Sequence, residues 1–550
     1  MTAPRIVRRA ACDGAALPAD WHPVVRRVLG ARGVKSATDA DYRLQRLAAP
    51  DALSGLDAAC ARLAHAIAAG ERIVVVGDYD ADGATASAVA VRGLRLLGAK
   101  RVEFRVPHRV RHGYGLTPAL VDELAALAPA LLVTVDAGIA SHAGVSRARH
   151  YGLDVVVTDH HLPGPTLPDA VAIVDPNLPG DAFPSKALAG VGVIFYVLVA
   201  LRAHLRRTAT FGAGAGPDLA PLLDLVALGT VADLVPMDRN NRVLVAAGLR
   251  RIRAGAACAG IRALFAVAGK DASRAFATDL GFAIAPRLNA AGRLEDMRVG
   301  IACLLEDDFT AALALAERLH LINAERRHVQ DEMTAQADAA VDGWEKERAQ
   351  SLPVGLCLYR DDWHVGVVGL VASRVKDRLH RPVVAFAPAG DGTDELKGSA
   401  RSVPGLHLRD ALADVATRHP GLIPKFGGHA MAAGLSLARS DLDAFGAAFD
   451  ARVREALGDS PDAATLASDG PLDGHDATFE LARALEDAGP WGQGFPEPLF
   501  DNEFAVVDWR VLGTKHLGLR LAYGCGHTVE AVHFGGYAGA PPPSRLHALY

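Results

Sequence analysis

The first half of the sequence sets carboxylates and imidazoles directly behind short apolar runs. Asp78, Asp80 and Asp82 alternate through GDYDADG, which follows IVVV. Asp136 follows LLVTV, Asp159, His160 and His161 follow VVVT, and Asp233 lies near the end of LDLVALGTVADLVP. Three carboxylates within five residues repel one another strongly unless cations neutralise them, and Gly77 and Gly83 let the backbone turn tightly around them. Each piece also has a bland explanation. GDYDADG reads as an Asp-rich turn with a helix N-cap, a lone strand-end Asp as a cap or turn, and a lone His as structural. Convergence weighs against it, because four separate elements deliver these groups to one end of one predicted sheet. A carboxylate-and-His set without Cys suits Mn2+ or Mg2+ better than structural zinc. This many carboxylates suits two ions with one Asp bridging, and two neighbouring ions clamp the attacking and leaving oxygens of a phosphoester displacement. No Ser-His-Asp or Cys-His arrangement is evident to supply a side-chain nucleophile.

The elements that must position these groups alternate in type. ERIVVVGDYDADG, LLVTVDAG, LDVVVTDHH and VAIVDPN are β-branched runs ending in Asp, separated by helical patterns such as Thr85 to Leu97 and His142 to His150. That alternation predicts a parallel α/β sheet, whose ligands bind beyond the carboxyl ends of the strands. Leu188 to Leu205 and Leu219 to Leu234 read as helices, with Phe211 to Pro217 as a loop between them. The GAGAG within that loop follows no strand, so it is not a dinucleotide fingerprint, and Ala268-Gly269-Lys270 is no Walker motif. The polar stretch from Asp307 to Arg348 predicts a long connecting helix. A second α/β pattern runs from LPVGLCLY through RPVVAFAP and FGGHAMAAGLSL to Leu457. Short strand-like pieces after Pro471 (FAVVDWRVLG, HLGLRLAY, TVEAVHF) suit a small β-barrel. HALY after PPP reads as the start of a strand, so the barrel is expected to be incomplete at its C-terminus. The expected organisation is an N-terminal extension (1–69), a parallel-sheet domain (70–305), a connector helix (306–350), a second α/β domain (351–465) and a barrel-like domain (466–550).

Composition narrows the class. At 550 residues the chain needs several cores, and 50% hydrophobic with 22% charged residues marks it as globular. A net charge of −5 excludes a generic polybasic nucleic-acid coat but leaves room for a local basic path. Cysteines at 12, 60, 258, 303, 357 and 525 form no CxxC, which suits a reducing cytoplasm rather than a disulfide framework. The uncharged run Ala187 to Leu201 is too short for a membrane span, and MTAPRIVRRA has no apolar core behind its arginines, so neither membrane insertion nor secretion is expected.

GDYDADG, VTVDAGI, VTDHH and GTVADLVP, in this order and spacing, resemble the motifs of the DHH phosphoesterase superfamily. PRLNAAGR, WHVGVVGLVASR, GSARS, FGGHAMAAG and GPWGQGFPEPLF resemble those of its RecJ branch, bacterial single-strand-specific 5′→3′ DNA exonucleases, over nearly the whole chain. One departure is Phe495, where the family often has Asn; it lies in the lead-in to the barrel, away from catalysis.

The resemblance implies a parallel-sheet DHH domain, a DHH-associated α/β domain that binds substrate, and a C-terminal OB-like barrel. It implies two-metal hydrolysis of single-stranded DNA to 5′-mononucleotides in recombination and repair. Carried over, Asp80, Asp82, Asp136, His160 and Asp233 are ligands, Asp136 is the bridge, and Asp78 is a ligand or a close neighbour. Asp159 orients an imidazole, and His161 faces the scissile phosphate. Arg109, with Ser399 and Arg401, takes the 5′-terminal phosphate, while Tyr114 stacks on a base. Arg293, Gly428 and His429 approach the substrate backbone. The bland counterparts are a solvated basic loop over Arg101 to Gly115, a turn-packing Tyr114, and a GGH turn with a packing His. Single-strand-binding protein, a RecQ-type helicase and a monomeric state are further implications. Two rivals stand beside this reading: a DHH enzyme for oligoribonucleotides or cyclic dinucleotides, and a non-catalytic DNA-binding scaffold.

Overall fold

Five short runs of mainly β-branched residues pair side by side in the computed structural model, which describes residues 5–10, 14–109, 111–212, 214–347, 352–390, 392–459, 465–523 and 526–550. The strand order is Arg101–Arg105, Arg72–Val76, Leu131–Val135, Asp154–Thr158, Ala172–Val174, and every pairing is parallel. Because helices cover both faces, the three central strands are almost continuously buried rather than alternating, whereas the edge strand Arg101–Arg105 is mostly charged and partly exposed. Val74, Val76, Leu132, Val155 and Val157 pack one face against Leu120, Val121, Leu124, Val145 and Ala148. Those partners come from the helices Pro118–Ala125 and His142–His150.

The helix Ala81–Leu96 packs against Gly190–Arg207. A Cβ at Gly93 would come within 2.2 Å of the Leu198 side chain, so the missing side chain permits that approach. The predicted helix at 85–97 thus begins four residues early, because Asp80 caps it by accepting the Gly83 N–H at 3.0 Å. The predicted helix at 219–234 divides into a 3-10 turn, Ala220–Leu222, and the helix Leu223–Ala232. The basic run 101–115 is not all loop: its first five residues form the edge strand of the sheet.

These elements belong to a unit comprising Ile6–His320 and Ala467–Tyr550. Its C-terminal part is a four-stranded antiparallel sheet ordered Thr528–His533, His516–Ala522, Asp501–Leu512, Arg545–Leu549, around Phe504, Leu517, Leu519 and Leu521. Residues His547 to Leu549 of HALY lie in the strand Arg545–Leu549, paired with Asp501–Ala505. Asp501 anchors this sheet: its buried carboxylate accepts from Arg8 Nη2 at 2.7 Å, from His547 Nε2 at 2.8 Å and from Ser468 Oγ. Phe495, the departure from the family pattern, is buried, stacked on Trp491 at 5.0 Å and covered by the Arg242 guanidinium at 4.2 Å.

The helix Phe309–Glu347 carries the chain into a second unit, Leu321–Leu466. There a five-stranded sheet is ordered Lys425–Gly428, Ala432–Ala438, Glu395–Arg401, Val383–Pro388, Leu356–Tyr359, antiparallel except for its last pair. Its core centres on Phe386, Phe445 and Phe449. Cys60, Cys258, Cys303 and Cys357 are free thiols, while Cys12 and Cys525 lie outside the described residues. No helix among the described residues is long and apolar enough to cross a membrane.

Candidate metal centre

Strand register explains why distant acids meet. Val76 pairs with Thr134, Val135 with Thr158, and Thr158 with Val174. The residues that follow these strand ends, Asp78, Asp136 and Asp159, therefore emerge side by side along one edge of the sheet. All three are buried. Asp82 joins them from the first turn of Ala81–Leu96, and Asp233 from the C-terminal end of Leu223–Ala232.

Three groups of ligand atoms form, each with its atoms within 4.8 Å of one another: Asp78, Asp80 and Asp136; Asp82, His160 and Asp233; and Asp136, His160 and His161. Asp136 and His160 each belong to two groups. His160 Nε2 lies 3.1 Å from Asp136 Oδ1, 3.6 Å from Asp233 Oδ2 and 4.0 Å from Asp82 Oδ2. Asp82 also accepts the Gly190 and Val191 N–H groups at 2.6 and 3.0 Å, which ties it to the start of the helix Gly190–Arg207.

The local backbone is held in conformations that cost energy. Asp136 has φ +58°, unusual for a residue with a Cβ, and Leu234 after Asp233 has φ +61°. Gly190 passes so close to Asp136 that a Cβ there would lie 2.5 Å from the Asp136 Cβ.

The donor set fits divalent cations. Asp78 Oδ1 is buried without a hydrogen-bond partner among the described residues. Burial first, and neighbouring carboxylates second, push Asp78 up to about 8 and Asp82 to about 7. The same causes hold Asp136 and Asp233 well above the usual carboxylate range. So many buried acids cannot ionise together without added positive charge, and oxygen donors with one imidazole match Mn2+ or Mg2+.

Asp159 is engaged differently. Its Oδ1 accepts the backbone N–H of His160 at 2.8 Å and faces His161 Nδ1 at 2.7 Å, and its Oδ2 accepts the Ile139 N–H at 2.9 Å. The imidazole it orients is that of His161. Burial alone would lower the His161 pKa, but the Asp159 hydrogen bond and charge outweigh it and raise it to about 9.

An aromatic and cationic wall borders these groups. The Tyr114 hydroxyl donates to the Asp136 carbonyl at 3.3 Å, and its half-exposed ring meets Tyr79 and His161 edge-on at 6.3 and 6.0 Å. Arg109 lies over the Tyr79 ring at 4.1 Å and donates from Nε to the Gly292 carbonyl at 3.1 Å. Arg293 follows Gly292 on the helix Ala285–Leu294.

Tyr79, Asn289, Gly190 and Gly292 escaped the sequence reading. Asn289 Oδ1 accepts the Ala81 N–H at 2.8 Å, and a Cβ at Gly292 would meet the Tyr79 carbonyl at 1.8 Å. Both lie inside the quoted PRLNAAGR block, but their partners are some two hundred residues away, beyond the reach of local spacing.

The remaining predicted residues stand in the second unit and are described within it. Arg401 donates from Nη1 to Ser399 Oγ at 3.0 Å and from Nε to Ser373 Oγ at 3.2 Å. Burial lowers its pKa. A Cβ at Gly369 would lie 2.7 Å from Ser399 Oγ and 2.9 Å from Arg401 Nη2, so glycine keeps this corner open. Gly428 has φ +148°, and the next residue, His429, donates its N–H to the Ala432 carbonyl at 2.8 Å.

The DHH family N-terminal domain matches residues 72–230, the DHHA1 domain 353–455 and the RecJ OB domain 468–550. The single-stranded-DNA-specific exonuclease RecJ of Salmonella typhimurium is 51% identical over 512 residues, 93% of this chain and 88% of that protein. The crystal structure of Thermus thermophilus RecJ in complex with Mn2+ has a TM-score of 0.81 at 32% identity, covering 99% of this chain and 76% of that one. Its counterpart with Mg2+ has a TM-score of 0.76 at 30% identity, covering 99% and 74%. Identity at this level over nearly the full length, joined to all three domain matches in order, establishes that this chain belongs to the RecJ family.

Proposed function

We propose that this chain is a single-stranded-DNA-specific exonuclease that hydrolyses phosphodiester bonds from the 5′ end and releases 5′-mononucleotides. The observation that carries the reading is Asp136: one buried carboxylate shared by two groups of donors at the carboxyl edge of a parallel sheet. In this reading Asp80, Asp82, Asp136, His160 and Asp233 would hold two ions, with Asp136 common to two donor groups and Asp78 a further ligand or a close neighbour. Bound there, two divalent cations would supply charge neutralisation at the scissile phosphate and lower the pKa of an attacking water.

The chain's own residues do the rest. Asp159 engages His161 Nδ1 and favours the imidazolium, in which Nε2 also carries a proton and can donate it to a phosphate oxygen. Tyr114 offers a ring edge and face to a base without choosing its identity. In the second unit, Ser399 and Arg401 are the groups proposed for the terminal phosphate and Gly428 and His429 for the backbone that follows; in the first, Arg109 is proposed for the terminal phosphate and Arg293 for the backbone. A non-catalytic scaffold would have no need of the full ligand set, and every assigned carboxylate and imidazole is present.

The proposed domains are 1–69, 70–305, 306–350, 351–465 and 466–550. A cytoplasmic, monomeric enzyme working with single-strand-binding protein and a RecQ-type helicase completes the reading. The deciding experiment is a time course on 5′- and 3′-labelled single strands and on duplex, with Mn2+, Mg2+ or chelator. Early release of the 5′ label as mononucleotide, metal dependence and a resistant duplex support it. Faster hydrolysis of dinucleotides than of DNA would overturn it.

A further inference from the structure

We propose that Asn177 is a positioning residue that fixes the His160 imidazole by holding its main chain; this rests on the reading of His160 as a metal ligand. The chain leaves the strand Ala172–Val174 through Asp175-Pro176-Asn177. The Val174 carbonyl accepts the Asp159 N–H at 3.1 Å, so the turn starts beside the Asp-His-His tripeptide. Asp175, fully buried, accepts the Asn177 N–H on Oδ1 at 2.7 Å and so closes a side-chain turn that aims the Asn177 amide. Asn177 Nδ2 then donates to the His160 carbonyl at 2.6 Å.

His160 is thereby held from both sides. Its N–H goes to Asp159 and its carbonyl to Asn177. The turn itself is braced from behind. Lys186 Nζ donates to the Pro176 carbonyl at 2.5 Å and to the Asp181 carbonyl at 2.8 Å, and Asp181 Oδ2 accepts the Ser54 N–H at 2.7 Å. His160 Nε2 reaches three carboxylates from different elements. A shift of its main chain therefore changes all three distances at once, and Asn177 is where that shift is resisted. The position needs a short side chain with an N–H. A carboxylate of the same size would set two oxygens against each other.

The test is Mn2+ titration of the whole protein by calorimetry, without DNA, on the wild type and on Asn177→Ala, Asn177→Asp and His160→Ala. Binding of 5′-phosphorylated single strands in EDTA and melting of the metal-free protein are measured alongside. Loss of a group that orients a ligand typically costs about 10–100-fold in metal affinity. Both Asn177 variants should weaken Mn2+ binding by about that much, keep DNA binding within about twofold, and recover turnover as Mn2+ is raised. If the two variants bind Mn2+ like the wild type while His160→Ala does not, Asn177 has no positioning role. If His160→Ala itself binds Mn2+ normally, the ligand reading beneath the inference fails. If both Asn177 variants lower the metal-free melting temperature together with DNA binding, Asn177 serves the fold and the proposal is overturned.

Discussion

Asp159 Oδ1 and His161 Nδ1 lie 2.7 Å apart, with the carboxylate fully inside the protein and the imidazole partly outside it. The pair divides its work by that difference in exposure: the buried member carries the charge and the outer member presents the proton. Asp159→Asn keeps the shape and removes the charge that holds His161 at about 9. The high-pH limb of the single-turnover pH–rate profile should move down by roughly a unit or more, each unit being about 1.4 kcal/mol of lost preference for the imidazolium. An unshifted limb, with only a uniform drop in rate, would remove His161 as the proton-bearing group.

The acids around Asp136 make an opposite prediction about protons. Asp78 and Asp82, at about 8 and 7, retain protons near neutrality when no cation is present. Mn2+ must displace them, so its affinity should rise from pH 6 to pH 8, and calorimetry in buffers of different ionisation enthalpy should show net proton release. The sign for stability follows. A carboxyl whose folded pKa is raised contributes fully below its unfolded value of 3.8 and loses that contribution as pH rises through 7 to 8. The metal-free protein should therefore melt lower at pH 8 than at pH 6, and saturating Mn2+ should reduce the difference. A metal-free melting temperature that rises over this interval contradicts the shared burial of these acids.

Asp136→Ala separates binding from chemistry. It removes the carboxylate common to two donor groups and leaves the second unit untouched. Turnover should fall by more than about a hundredfold, beyond what loss of a merely supporting residue costs. Single-strand binding in EDTA should persist. Unimpaired cutting would refute the bridging role.

Gly190 is the sterically tightest support of that carboxylate. Gly190→Ala places a Cβ 2.5 Å from the Asp136 Cβ, at a backbone already strained at φ +58°. Overpacking of this kind costs about 1–3 kcal/mol. The variant should lose Mn2+ affinity together with some melting temperature, whereas Gly33→Ala, with nothing near its Cβ, should leave Mn2+ affinity unchanged. Equal metal affinity in Gly190→Ala and the wild type would mean that Asp136 is not held by this contact.

How much of this could be read in the sequence depends on whether a residue acts through its neighbours or through distant chain. The strands LLVTV and VVVT announced themselves, and parallel register then made their following acids adjacent. Asp80 caps a helix, as an Asp-rich turn predicts, and also stands in one of the donor groups. Gly190, Asn289 and Gly292 carry no such signal, because what they do is to admit or hold a segment far away in sequence. Phe495 shows the same limit: the departure from the family pattern is legible, but its burial beneath Arg242 is a tertiary fact.

Arg401 offers the sharpest test of end recognition. The Ser399 and Ser373 hydroxyls and the Ala400 carbonyl receive its N–H groups, and none of these partners is a carboxylate. A partly buried guanidinium held by neutral partners favours an incoming dianion, and its planar fork suits a terminal phosphate better than a single ammonium does. Arg401→Ala should lose most of the preference for 5′-phosphorylated over 5′-hydroxyl strands, and Arg401→Lys should recover only part of it. The readout is the ratio of kcat/KM on the two ends, since a group that meets only the terminal phosphate lowers one value and spares the other. Equal losses on both ends would assign Arg401 to general contact with the backbone.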